Sequence, residues 1–126
     1  MAVAVVDASA IAALVFVEAE ADDVADRLRG ADLVAPTLLA YEIANVAAVK
    51  LRRRLITRAA AETGLTLFAR LDVRLHPVEA RAAFALAEET ALTAYDAAYV
   101  WLARSMSADL VTLDARVQRS FRHLRL

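Results

Sequence analysis

The chain has 126 residues and a formal net charge of −1 at pH 7, so we expect one domain spanning residues 1–126 and no global attraction for nucleic acid. It contains no Cys and two widely separated His, which excludes disulfides, thiol nucleophiles and Cys-ligated metal centres and leaves little for a His-based metal site. Hydrophobic residues make up 60% of the sequence, yet no apolar stretch approaches the ~18 residues of a membrane span. The N-terminus lacks the basic region of a signal peptide, so we expect a cytoplasmic protein that does not bind membranes.

In the first half of the chain, short β-branched or apolar runs alternate with helical segments. Gly30 is a typical stop signal for a helix, and Thr57 is a typical N-cap. Pro36 stands where the first residue of a helix is expected, because its missing N–H would have no intrahelical partner there. The predicted elements are strands at 2–6 and 33–35 and helices at 9–17, 20–29, 36–54 and 57–70.

The second half continues the alternation. Pro77 ends a short strand, Thr93 caps a helix and Asp114 opens a short one. The predicted strands are at 73–76 and 110–113, with an edge strand at 123–126, and the predicted helices are at 78–90, 93–105 and from 114. Alternating strands and helices are typical of parallel βαβ units. We therefore predict an α/β fold, a three-layer α/β/α sandwich around a four- or five-stranded parallel sheet.

Two acidic residues follow predicted strands. Asp7 comes directly after the first strand and Asp114 directly after the strand at 110–113. In open α/β sheets ligands bind beyond the carboxyl ends of the strands, so both side chains could face one crevice. The alternative is that each Asp caps the helix that follows it.

Glu42 and Asp96 lie within predicted helices. Glu42 shares its helical face with apolar residues and Asn45, so it should point at the core or a crevice and needs a cation, a hydrogen-bond donor or a raised pKa. Asp96 lies on a face with Tyr99, but Thr93 to Asp96 also resembles a capping box. The capping role and a metal-binding role are compatible.

The predicted topology can bring these four carboxylates to one crevice, and no basic residue adjoins any of them in the sequence. Clustered carboxylates without Lys or Arg need a divalent cation, and oxygen ligands alone select Mg²⁺ or Mn²⁺. Such a site suits phosphodiester hydrolysis, because the metal lowers the pKa of a bound water and offsets charge in the transition state.

The sequence resembles the PIN-domain ribonucleases, and specifically the VapC-type toxins of bacterial toxin–antitoxin pairs. The order and spacing of the matching segments agree with that family along essentially the whole chain, and the third is the most distinctive. The segments are Val5-Val-Asp7-Ala-Ser9, Pro36 to Val46 with Tyr41-Glu42-Ile-Ala-Asn45, Leu92-Thr-Ala-Tyr-Asp96-Ala-Ala-Tyr99 and Asp109-Leu-Val-Thr112-Leu-Asp114.

The resemblance implies an endoribonuclease that uses one or two Mg²⁺ or Mn²⁺ ions, with an RNA substrate. It also implies a homodimer and inhibition by a small antitoxin protein that binds operator DNA, so that any contact with DNA is indirect. The implied catalytic and metal-binding residues are Asp7, Glu42, Asp96 and Asp114, with Ser9 and Thr112 as polar groups near the metal and Asn45 as an outer or substrate contact.

Two arginine clusters are candidate RNA contacts. Residues 52–54 end a predicted helix, where basic residues also stabilise the helix dipole. Arg116 and Arg119 lie close in sequence to Asp114, which makes them candidate phosphate-binding residues. The surplus of apolar residues is consistent with a dimer face and a groove for the antitoxin.

Three other functions remain as alternatives. One is a PIN-like module that binds a partner without catalysis, and another is a metal-dependent nuclease acting on DNA. A phosphotransfer domain is disfavoured, because a receiver needs a Lys after a late strand and the only Lys is Lys50, within a helix. A dehalogenase-like phosphatase needs Asp-x-Asp, whereas Ser9 occupies the second position.

Overall fold

Two strand pairings place the first strand at the centre of the sheet. This computed structural model describes residues 2–125, and within them the strands are β1 (Val3–Val6), β2 (Asp32–Pro36), β3 (Arg74–His76) and β4 (Asp109–Val111). Val5 of β1 pairs with Val34 of β2 on one side and with Leu110 of β4 on the other. These four strands are all parallel, in the order β3-β2-β1-β4.

Helices cover both faces of this sheet, as the predicted three-layer sandwich requires. The helices are α1 (Ala8–Val15), α2 (Ala21–Leu28), α3 (Leu39–Arg52), α4 (Arg58–Arg70), α5 (Ala80–Thr90), α6 (Ala94–Ser105) and α7 (Ala115–Arg125). Helix α6 packs on β1, β2 and β4 and is flanked by α5 and α7, whereas α1 packs against α2, α3 and α4. None of the helices described in residues 2–125 is both long enough and apolar enough to cross a membrane.

The sequence of β1 is a continuous run of apolar residues because the strand lies in the hydrophobic core. Val5 and Val6 are fully buried, because a central parallel strand is covered on both faces. Val117 and Phe121, four residues apart on α7, are also buried in this core.

Local signals placed most helix ends correctly. Gly30 has φ of 76° just beyond α2, and Thr57 Oγ1 accepts a hydrogen bond from Ala60 N at 3.0 Å at the start of α4. Strand β4, however, lies one to two residues earlier than predicted. Residues 112 and 113 therefore belong to the turn at the sheet edge rather than to the strand.

Two sequence predictions were wrong. Pro36 ends β2 instead of starting a helix, and α3 begins at Leu39. Pro36 lies beyond the last residue pair between β2 and β1, so its missing N–H breaks no hydrogen bond to the central strand. Residues 123–125 continue α7 and form no edge strand, because the helical burial of Val117 and Phe121 extends the element; Leu126 lies outside the described residues.

Gly64 provides a specific test of the packing between α1 and α4. A Cβ atom at this position would stand 2.6 Å from Phe16 Cδ1 and 3.1 Å from the backbone oxygen of Val15. Helix propensity favours Gly64→Ala by about 1 kcal/mol, but overpacking typically costs about 1–3 kcal/mol. We therefore expect a net loss in the free energy of unfolding, measured by urea denaturation.

The control for this substitution is the Phe16→Leu background, which removes the ring that the new methyl group meets. There Gly64→Ala should be neutral or stabilising. An equal loss in both backgrounds would contradict the close approach of Phe16 to Gly64.

Candidate active site

The sheet order creates a crevice between the ends of β1 and β4. The chain proceeds from β1 to β2 and β3 on one side and then crosses to β4 on the other side. Such a change of direction separates the loops beyond the two strands and forms the usual ligand crevice of an open α/β sheet. Asp7 and Asp114 follow these two strands, as the sequence predicted.

Asp7 is held by a network that joins the two strand ends. Its Oδ1 accepts hydrogen bonds from Ser9 Oγ at 2.7 Å and from Ala10 N at 3.1 Å, and its Oδ2 accepts one from Thr112 Oγ1. Ser9 Oγ in turn accepts from Leu113 N at 2.9 Å. Ser9 and Thr112, predicted as polar groups near the site, therefore fix the position of the Asp7 carboxylate, which also caps α1.

Burial raises the pKa of the Asp7 carboxyl above its ordinary value. Hydrogen bonds from Thr112, Ser9 and Ala10 act in the opposite direction, and the charge of Asp96 adds to the increase. Burial is the largest of these effects. The ionised form of Asp7 is therefore disfavoured unless a positive charge lies nearby.

Glu42, on α3, is a second acidic residue whose pKa is raised by burial. Tyr99, fully buried on α6, donates its hydroxyl proton to Glu42 Oε1 at 2.5 Å. Burial raises the pKa of the Glu42 carboxyl, the Tyr99 hydrogen bond lowers it, and the charges of Asp96 and Asp7 raise it further. The pKa of the Tyr99 hydroxyl lies far above its usual range, first because of burial and then because of Glu42. Tyr99 therefore remains a hydrogen-bond donor.

Asp96 and Asp114 are bridged by Arg116, which corrects the expectation that no basic residue adjoins the acids. Arg116 Nη2 lies 3.7 Å from Asp96 Oδ2 and 3.8 Å from Asp114 Oδ2. The Arg116 side chain is 61% exposed, so these ion pairs contribute little to stability. Arg116 lies in the first turn of α7, two residues after Asp114, and its guanidinium group reaches the carboxylate of Asp114. The sequence suggested only phosphate binding for Arg116.

The capping predictions for these two acids also hold. Thr93 Oγ1 accepts a hydrogen bond from Asp96 N at 3.1 Å, which is one half of the capping box. Asp114 Oδ1 caps α7 by accepting hydrogen bonds from Arg116 N at 2.9 Å and from Val117 N at 3.3 Å. For both residues, capping leaves a carboxylate oxygen directed at Arg116.

The remaining predicted residues fall in different places. Asn45 lines the same depression as Glu42, so it shares the face that the sequence indicated. Arg119 lies in a separate groove beside Glu89 and His123, away from the four acids.

Sequence reasoning missed two residues of the site. The hydrogen bond from Tyr99 to Glu42 was not predicted, although the spacing of three residues between Asp96 and Tyr99 places both on one helical face. Arg27, on α2, donates to the backbone oxygen of Thr112 at 3.5 Å and lines a depression with Asp114. No local signal in the sequence distinguished Arg27 from the other basic residues.

The donor chemistry of the site fits a hard divalent cation. The charge of Asp96 raises the pKa of Asp7, and the charges of Asp96 and Asp7 raise the pKa of Glu42, so negative charge converges on one crevice. Carboxylate and alcohol oxygens are the ligands that Mg²⁺ and Mn²⁺ prefer. Among residues 2–125, however, no three His, Cys, Asp or Glu side chains are already grouped as a ready-made ligand set. Side chains around Arg116 would have to rearrange to complete one.

Comparison with known proteins agrees with this geometry. The family model described as PIN domain matches residues 4–123. This chain belongs to the PIN-domain family. The PIN domain is 39% identical over 123 residues to Ribonuclease VapC3 of Pyrobaculum aerophilum, covering 93% of both chains, and is therefore of the VapC type. The crystal structure of PAE2754 from the same organism superposes with a TM-score of 0.76 at 31% identity, covering 95% of this chain and 87% of that one.

The raised pKa of Asp7 makes the stability of the metal-free PIN domain depend on pH. A carboxyl whose folded-state pKa exceeds its unfolded value stabilises the fold most below the unfolded pKa and loses that contribution as pH rises through the folded pKa. Asp7→Asn removes this loss and leaves an amide oxygen that can still cap α1. In EDTA we therefore expect the free energy of unfolding of Asp7→Asn to increase relative to that of wild type as the pH rises from 4 to 7.5.

Thermal unfolding from pH 4 to 7.5 measures this difference. The control is Asp26→Asn, which removes an exposed carboxylate that pairs with Arg29. A deficit of several degrees for Asp7→Asn at every pH would show that the hydrogen bonds of the carboxylate outweigh its burial.

Proposed function

We propose that this PIN domain is a Mg²⁺- or Mn²⁺-dependent endoribonuclease and the toxin of a bacterial type II toxin–antitoxin system. The observation that carries the proposal is the convergence of Asp7, Glu42 and Asp96 on one crevice, where burial and mutual repulsion raise the pKa of the first two. A cation relieves this repulsion. The 39% identity to a protein named Ribonuclease VapC3 supports RNA as the substrate.

The residues that would hold the ion are Asp7, Glu42, Asp96 and Asp114. When bound, a divalent cation lowers the pKa of water and stabilises negative charge on a transferring phosphoryl group. Ser9 and Thr112 orient Asp7 through their hydroxyl groups, and Tyr99 orients Glu42.

Arg116 has a role that depends on the ion. It neutralises Asp96 and Asp114 in the described structure. A cation held by Asp96 and Asp114 would supply that neutralisation, and the Arg116 guanidinium group would then be available to contact an RNA phosphate. Arginine suits this second role because its planar donor fork matches phosphate oxygens.

The proposed partners follow from the family assignment. They are a cognate antitoxin protein, a second copy of this chain in a homodimer, and DNA only indirectly through the antitoxin. The proposed location of the complex is the cytoplasm.

Cleavage of RNA tests the mechanism directly. Attack by water should leave a 5′-phosphate and a 3′-hydroxyl, and activity should disappear in EDTA. Asp96→Asn keeps the size of the side chain and the Thr93 cap, so the fold should be retained, as measured by circular dichroism. We expect this variant to lose RNA cleavage and the ability to arrest growth. Asp26→Asn serves as the exposed control and should remain active.

The nature of the product ends decides between mechanisms. A 2′,3′-cyclic phosphate formed in EDTA would contradict the metal-dependent mechanism. Equal cleavage of a DNA strand of the same sequence would instead support the alternative nuclease, because the 2′-OH distinguishes the two substrates.

A further inference from the structure

A depression adjoins the acidic crevice and shares Glu42 with it. Its volume is about 290 Å³. Residues at the starts of α1, α3 and α6 line it, among them the aromatic residues Tyr41 and Tyr95 and the apolar residues Leu38 and Val46. Asn45 supplies an amide group to the same surface.

The two tyrosines of this depression are unusually exposed. Tyr41 is 81% exposed and Tyr95 is 66% exposed, whereas Tyr99, which serves the carboxylate cluster, is only 1% exposed. Each exposed ring directly precedes an acidic residue of the crevice, Glu42 or Asp96, in the sequence. The core therefore uses little of either side chain, and both retain apolar surface that a ligand can contact.

The surrounding charges indicate what kind of group fits there. A ligand in the depression lies against Glu42, so a phosphate would be repelled by the carboxylate at this position. A neutral planar group with hydrogen-bonding edges meets no such penalty. It can stack on a tyrosine ring and bond to the Asn45 amide.

A second depression, beyond Asp114, has the opposite character. It is lined by Arg27 and Arg122 together with Thr112 and Asp114. Guanidinium groups favour phosphates, so the two sides of the acidic crevice suit different parts of one nucleotide chain.

We propose that Tyr41 and Tyr95 form a nucleobase-binding subsite next to the catalytic carboxylates, with Asn45 contacting the base edge. The proposal rests on the proposed function, because it takes RNA as the substrate, and it adds a recognition element to that site. A base that enters the subsite must leave its helical stack. The site therefore selects a phosphodiester bond adjacent to an unpaired nucleotide.

RNA binding in EDTA tests the subsite without cleavage. The probe is a fluorescein-labelled single-stranded RNA oligonucleotide, and the readout is fluorescence anisotropy. We expect Tyr41→Ala and Tyr95→Ala each to weaken binding about tenfold, since stacking on one aromatic side chain contributes on that scale. Tyr41→Phe and Tyr95→Phe keep the ring and should bind within about twofold of wild type.

Two further measurements separate stacking from charge. The slope of log affinity against log salt should be unchanged in the tyrosine variants and reduced in Arg27→Ala, because only phosphate contacts release counterions. An oligonucleotide with abasic positions should bind wild type more weakly. It should bind the Ala variants with no additional loss.

Several outcomes would overturn the proposal. They are wild-type affinity in both Ala variants, no binding of the oligonucleotide by wild type, or a change of oligomeric state in the Ala variants on size-exclusion chromatography. The last result would assign the tyrosines to a protein contact. Tyrosine-dependent binding without cleavage in Mn²⁺ would uphold the subsite and contradict the nuclease, whereas cleavage unaffected by both Ala variants would contradict the subsite alone.

Discussion

The carboxylate of Asp7 connects the two halves of the sheet at the point where the chain reverses its strand order. Hydrogen bonds from Ser9 and Thr112 join the end of β1 to the end of β4 through this one side chain. The arrangement carries a cost, because a buried carboxylate loses hydration that three hydrogen bonds only partly replace. Glu42 is half-buried, and its carboxyl pKa is raised by the charges of Asp96 and Asp7 as well as by burial, so negative charge accumulates in the crevice at an electrostatic cost.

Helix capping uses one carboxylate oxygen of Asp114 and leaves the other free of the helix. Asp114 caps α7 through Oδ1 and directs Oδ2 towards Arg116. The capping role that the sequence offered for Asp114 is therefore confirmed, and it is compatible with the proposed metal-binding role. Capping fixes the backbone at each strand end, and it thereby fixes where the remaining oxygen points.

Much of the fold was predictable because its signals are local. Gly30 and Thr57 marked helix ends through their own backbone preferences, and the apolar run of β1 marked a central strand. The prediction that Pro36 starts a helix was wrong because the fixed φ of proline suits both the first turn of a helix and the end of a strand. Only the position of β3 beside β2 distinguishes the two, and that pairing is a long-range property.

The candidate site was predictable to a similar degree. Asp7, Glu42 and Asp96 were found from their unusual positions, and the structure brings them within electrostatic reach of one another. The Tyr99 hydrogen bond to Glu42 spans 57 residues of sequence, and the Arg27 contact with Thr112 spans 85, so neither could be read from a local pattern.

Divalent-ion binding by the folded protein tests the central claim most directly. The proposed ligands come from distant segments, so an ion held by them would bind only the folded state. At a hundred times its dissociation constant it should add about 2.7 kcal/mol to the free energy of unfolding. For a domain of this size the melting temperature should rise on the order of 10 °C in Mn²⁺. Asp96→Asn and Glu42→Gln should lose most of this increase, and Asp26→Asn should retain it. No change in the melting temperature of wild type with either Mn²⁺ or Mg²⁺ would contradict the account.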